Sequence, residues 1–223
     1  MRIKKKEKII VFFGTLGVLV LLFAIGFSVY QKLQPDIVVD PNITDEYRQE
    51  LEVELADARG KSLENPQDID ARILIGILEQ KLGRLSASER AFKNALKIND
   101  QHYLPYLYLG SVYEAMGQYQ KADDSLRVST QLNPQDARPF QILITLYKQH
   151  FPGEADELNN IFRAASDYTN SPEIWEEYAQ FLEDRREYRQ AWVYWKEVLF
   201  VEHDNTNAAA HVKWLGDQLG VGE

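Results

Sequence analysis

The chain has 223 residues and no cysteine, which excludes disulfides, thiol chemistry and thiolate metal sites. Residues 1–32 hold six Lys or Arg against the single Glu7, a formal +5, so residues 33–223 hold 19 basic and 33 acidic groups, a net −14. A surface that negative repels phosphate and has no basic stripe, so no nucleic-acid partner is expected.

Residues 1–8 form a basic tail, with Arg2, Lys4, Lys5, Lys6 and Lys8. Residues 9–30, IIVFFGTLGVLVLLFAIGFSVY, are 22 consecutive residues without a charge. As a helix they rise roughly 33 Å, enough for a ~30 Å hydrocarbon core. Only Lys32 follows closely, and this asymmetry predicts a cytoplasmic N-terminus and a C-terminal domain outside the cytoplasm. The run is longer than a signal-peptide core and no clear Ala-x-Ala follows, so an uncleaved anchor in a plasma or inner membrane is expected. Gly14, Gly17 and Gly26 do not form the GxxxG spacing of close helix dimers.

Residues 31–43 read as a tether with Pro35 and Pro41 and no helical period. Asn42-Ile43-Thr44 satisfies the glycosylation sequon on the translocated side. Residues 44–68 are a highly charged helix and its exit, either the second helix of a decayed repeat or an N-terminal cap.

Beyond it the apolar residues recur at spacings of three and four, with short polar turns between them. The tetrapeptide NPQD occurs at Asn65–Asp68 and again at Asn133–Asp136, 68 residues later, with NDQH at Asn99–His102 halfway. A polar corner every 34 residues predicts helical hairpins joined by capped ends, with Asn and Asp as caps and proline in the first turn. In the unit from Tyr103, a first helix carries Tyr106, Leu109, Gly110 and Tyr113. A turn at Gly117-Gln118 leads to a second helix with Ala122, Leu126 and Ser129, closed by Pro134.

This pattern resembles the tetratricopeptide repeat family, with its large residue, Leu-Gly and Tyr in helix A and small and large residues and Pro in helix B. Gly110 and Ala122 permit a close crossing. A unit from Ile69 repeats it with Ile75-Gly76, Gly83, Phe92 and Ala95, although Glu79 replaces the tyrosine and Ser88 the first alanine. The unit from Ala137 has Phe140, Leu143, Tyr147, Phe162 and Ala165 and a turn, HFPGEADE, about two residues longer. The unit near Pro172 has Trp175, Tyr178, Ala179, Leu182, Ala191, Trp195 and Val198. The expected fold is all-α, a right-handed tetratricopeptide-like solenoid with four repeats over 69–205, preceded by one transmembrane helix. Residues 206–223 supply a capping helix.

The resemblance places a concave groove on helix A at unit positions 2, 5, 9, 12 and 13. Carried onto this chain, the groove includes Ile73, Ile77, Leu104, Leu107, Ser111, Glu114, Arg138, Gln141, Lys148, Glu173, Glu176, Gln180 and Glu183. Ile73, Ile77, Leu104 and Leu107 are expected to form an accessible apolar strip, unless the 44–60 helix folds over it. The fourth unit is acidic, offering either a docking place for a basic segment or an ordinary solvated face. Some relatives clamp a C-terminal carboxylate with Lys and Asn; Ile73, Ile77, Leu107 and Ser111 stand at those places, so the clamp is not carried over.

Nothing points to catalysis or a cofactor. His102, His150, His203 and His211 lack metal-ligand spacing and are expected to be exposed near turns or on the terminal helix. No phosphate-binding loop occurs, and acid pairs such as Glu173/Glu176 need a shifted pKa in a cleft before they count. Trp175, Tyr178 and Trp195 match core positions, whereas Trp192 and Tyr194 are free to meet another subunit. The expected function is a membrane-anchored scaffold or assembly factor that holds an extended peptide or protein partner and meets the lipid bilayer through residues 9–30. The alternative is a structural subunit that self-associates through the solenoid. The arrangement is similar to bacterial envelope repeat proteins of cytochrome c maturation or of the secretion channel.

Overall fold

A computed structural model describes residues 43–221. The expected transmembrane segment 9–30, nearly all of the tether and Asn42 of the sequon lie outside them; among the described residues no helix is long and apolar enough to cross a membrane. Thr44 of the sequon lies within, and its hydroxyl caps the first helix by accepting from the Tyr47 N–H at 3.2 Å.

The helices in chain order are α1 (Asp45–Glu64), α2 (Ile69–Lys81), α3 (Leu85–Leu96), α4 (Tyr103–Ala115), α5 (Tyr119–Leu132), α6 (Ala137–His150), α7 (Ala155–Tyr168), α8 (Pro172–Asp184), α9 (Tyr188–Val201) and α10 (Thr206–Leu219). Helices α2/α3, α4/α5, α6/α7 and α8/α9 are four stacked hairpins, with α1 packed on α2 and α10 on α9. The architecture is an all-α, tetratricopeptide-like solenoid.

The polar corners start and stop helices, with one correction. Asn65 and Asn133 are C-caps; Asp68, Asp136 and His102 are N-caps, Asp68 accepting from the Ala71 N–H at 2.9 Å. Pro66 and Pro134 precede the helices rather than entering their first turns. Asn65 O accepts from Asp68 N at 3.0 Å and Asn133 O from Asp136 N at 3.3 Å, which puts each proline at the second position of a β-turn. A fixed φ suits that place, and the proline's missing N–H is not needed there. Glu202–Asn205 makes the same turn before α10, with Asn205 capping Ala208 N at 2.9 Å.

Close crossings hold the hairpins. A Cβ on Gly76 would stand 2.5 Å from the Phe92 ring, and one on Gly110 would stand 2.4 Å from Leu126 Cγ. The fully buried Ser88 donates to Gly76 O at 2.7 Å, so its hydroxyl is satisfied at the crossing. One apolar core runs from Ile73 to Leu215 along the stack. The third hairpin departs from this. Ile144, one period after Gly110, is buried where the other units have Gly76, Gly110 or Ala179, and α6 and α7 approach less closely than the other pairs.

The place of α1 is that of a second helix. Its Leu51, Leu55 and Ala58 make a separate small core with Leu78 and Leu82 of α2. Glu79, 2% exposed, forms ion pairs with Arg59 of α1 and with Arg84, 3.6 Å away, and Arg84 in turn pairs with Glu52. Arg59 lies two periods before Arg127 of α5, which donates to the Tyr147 hydroxyl at 2.9 Å. Tyr147 is likewise two periods after Glu79. The same two register positions meet in both places, with different chemistry.

Candidate functional site

The helix A face divides into a closed half and an open half. Ile73 and Leu107 are 5% and 2% exposed, so these two residues of the expected apolar strip are closed to a partner. Both belong to the main core, where α2 and α4 lie side by side; Ile77 and Leu104 are half-buried against the same core. Helix α1 is not the cover, because it packs on Leu74, Ile75, Leu78 and Leu82, the other side of α2. Ser111 and Glu114 are also half-buried, and burial pushes the Glu114 carboxyl above its ordinary value.

In the third and fourth units the row is polar and open. Arg138, Gln141, Lys148, Glu173 and Gln180 are exposed and Glu176 is half-buried. Two of these have local duties. Arg138 is tied to the α6 cap Asp136, Nε to Oδ1 at 2.9 Å. Glu173 accepts from the Ser171 hydroxyl at 2.6 Å, which holds its carboxyl below the usual range. Glu183 is an anchor rather than a free groove carboxylate: it accepts from Trp195 Nε1, and His211 Nδ1 lies 2.8 Å from it. Through this contact α10 is fixed to α8.

Where α6 and α8 diverge, a pocket of about 240 Å³ opens, bounded by Lys148, Glu176, Glu177, Gln180, Asp184 and Asn207. Phe162, Phe181 and Trp195 line its floor. Phe162 stacks on Tyr178 with ring centroids 5.1 Å apart, and burial pushes the Tyr178 phenol up to about 12. At the rim Lys148 Nζ donates to Glu177 Oε2 at 3.0 Å, and Asn205 Nδ2 donates to Glu176 Oε1 at 2.8 Å. Three carboxylates against one ammonium leave a net −2. The volume falls short of the roughly 300–1,000 Å³ of small-molecule sites and suits a side chain.

Phe181 and Glu177 of this pocket were not legible as site residues, since they fall between the family's groove positions. Trp192 and Tyr194, expected to be free for another subunit, are engaged within the chain: Trp192 donates to Val212 O at 3.1 Å and Tyr194 lies 4.6 Å from Tyr178, centroid to centroid. His150 stacks on Tyr119 at 3.7 Å, His211 stacks on Trp195 at 4.3 Å and His102 caps α4; of the four histidines, His203 is the exposed one. Trp175, Tyr178 and Trp195 are buried, as expected.

Comparison with known proteins agrees with this architecture. Residues 105–136 match the tetratricopeptide repeat family model. No curated protein matches the chain in sequence. Among solved structures, Pseudomonas aeruginosa pilF aligns at TM-score 0.60 and 19% identity, covering 78% of this chain and 79% of its own. MamA aligns at TM-score 0.58 and 16% identity, covering 77% and 99%. YrrB, described as a tetratricopeptide protein with an unusual peptide-binding site, aligns at TM-score 0.55 and 16% identity, covering 74% and 85%. At these identities the likeness is one of fold.

Proposed function

We propose that this chain is a single-pass membrane protein that displays a protein-binding solenoid outside the cytoplasm, as a scaffold or assembly factor. The observation that carries the reading is the open, polar helix A row of the third and fourth units, with its aromatic-floored pocket. A solenoid binds extended partners along such a face, and YrrB, whose fold is similar, is described as having a peptide-binding site. The uncharged run 9–30 and the Lys/Arg bias before it support the anchor and its orientation. The role is one of binding, with no catalytic step and no cofactor.

Because the chain has no cysteine, single cysteines report cleanly. In intact cells Thr206→Cys reacts with a membrane-impermeant maleimide and Lys5→Cys does not; the reverse pattern defeats the orientation. A photo-crosslinker at Gln141 or Thr145, both exposed on α6, captures the partner, while one at Asp124 of α5 does not. Capture from Asp124 alone refutes binding on the helix A face.

A second reading, self-association within a larger complex, is favoured by Val193, Phe200 and Val201 of α9, which are 45%, 75% and 52% exposed. Sedimentation of the full chain in detergent separates the two: an oligomer dispersed by Phe200→Glu supports the second, a monomer the first.

A further inference from the structure

We infer that the pocket between α6, α8 and α10 receives an arginine or lysine side chain from an extended segment of the partner protein. The inference rests on the protein-binding reading above and adds the chemistry of one contact. The pocket lies beside a departure from the repeat: Ile144 is buried one period after Gly110, and the pocket opens between α6 and α8 over Phe162 and Phe181.

Its lining suits a long cationic side chain. The aromatic floor takes a methylene stem, and the Phe181 ring already carries the Arg185 guanidinium 5.5 Å from its centroid. At the rim, Glu176 and Asp184 accept the charged head, and the net −2 excludes a carboxylate. One cation is already in place, since Lys148 reaches across from α6 to Glu177. That ammonium neutralises one of the three carboxylates and leaves Glu176, whose Oε1 accepts from the Asn205 amide, and the exposed Asp184 without an ion-pair partner among the described residues. Lys148 is therefore a competitor for the incoming charge, and its removal strengthens binding.

The test uses the full chain in nanodiscs of zwitterionic lipid and fluorescence polarisation of a labelled alanine–serine nonapeptide carrying arginines. A matched peptide with citrulline, the neutral isostere, is the comparison. The arginine peptide binds about tenfold more tightly than the citrulline peptide, and Glu176→Gln with Asp184→Asn removes most of that difference. Lys148→Ala increases affinity about threefold at low salt, and the gain fades as salt rises. Gln180→Lys, an exposed change at the pocket mouth, abolishes binding without touching the core, so the test survives if the carboxamide variant fails to fold.

Equal binding of the two peptides, or an arginine peptide indifferent to Gln180→Lys, overturns the inference. So does a homo-oligomer that Gln180→Lys disperses, since the occupant is then a second copy. If Gln141 still captures a partner while every pocket variant is silent, the pocket assignment fails and the scaffold reading stands. If Gln141 and Thr145 capture nothing, the scaffold reading itself fails.

Discussion

At the scale of single residues, two glycines of the same helical type have opposite consequences. Gly110 sits at a crossing where an added Cβ meets Leu126 Cγ, a branch point close to the backbone, so the helices must shift. Gly60 in α1 has nothing within 4 Å of the same atom. Gly110→Ala is expected to lower stability by about 1–2 kcal/mol despite its gain in helix propensity, and Gly60→Ala to raise it by about 0.5–1 kcal/mol. Urea unfolding of the two variants reads the opposite signs.

Asp136 is the other informative residue. Its carboxylate caps α6 and holds Arg138, whose guanidinium lowers the Asp136 pKa below the usual aspartate range. A depressed carboxylate contributes stability that is present above its unfolded pKa and lost as pH falls through the folded one. Asp136→Ala is expected to remove about 1 kcal/mol at pH 7. The difference from the parent narrows as pH drops below about 4. Denaturation midpoints of the two proteins between pH 7 and 3 check it; a gap that stays constant contradicts the charge-based part.

At the scale of elements, α1 is joined to α2 by one buried charge as well as by its apolar contacts. Glu79 is 3% exposed at its side chain, and its cationic partners Arg59 and Arg84 are partly in water. Removing both arginines leaves an uncompensated buried carboxylate, an effect of about 3 kcal/mol or more, whereas Arg59→Ala alone leaves Arg84 and is milder, about 1 kcal/mol. Adding Glu79→Leu to the double variant recovers most of the loss, because packing then replaces the charge. Far-UV unfolding of the four proteins measures the coupling. Sequence alone left α1 as either a decayed second helix or a cap. What decides it is which face of α2 it covers, and Leu78 and Leu82 are on the opposite side from Ile73.

At the scale of the whole molecule, the third hairpin is the loose section of the stack. Helices α6 and α7 approach less closely than the other hairpin pairs, the bulky Ile144 stands where those pairs have Gly or Ala, and their connection carries the exposed Pro152 and Gly153. Helices with fewer mutual contacts open locally at lower free energy. Hydrogen exchange is therefore expected to show amides of α7 less protected than those of α5 by about tenfold or more. Equal protection along the stack counts against a weak third hairpin.

The repeated corners, the helix faces and the glycine crossings were legible in the sequence because each depends on residues within one turn or one hairpin. Caps act over three residues, and Asp68 and Asp136 do so in the structure. The 34-residue period made the stack itself readable. Exposure along helix A was not, since burial of Ile73 and Leu107 comes from helices of neighbouring units, one period away. The pocket lay further out of reach, because residues from α6, α7, α8, α9 and α10 line it at once. Local chemistry set where each helix begins and ends. Only the packing of one hairpin on the next determined which side chains remain in water, because burial is a property of neighbours that the chain order does not list.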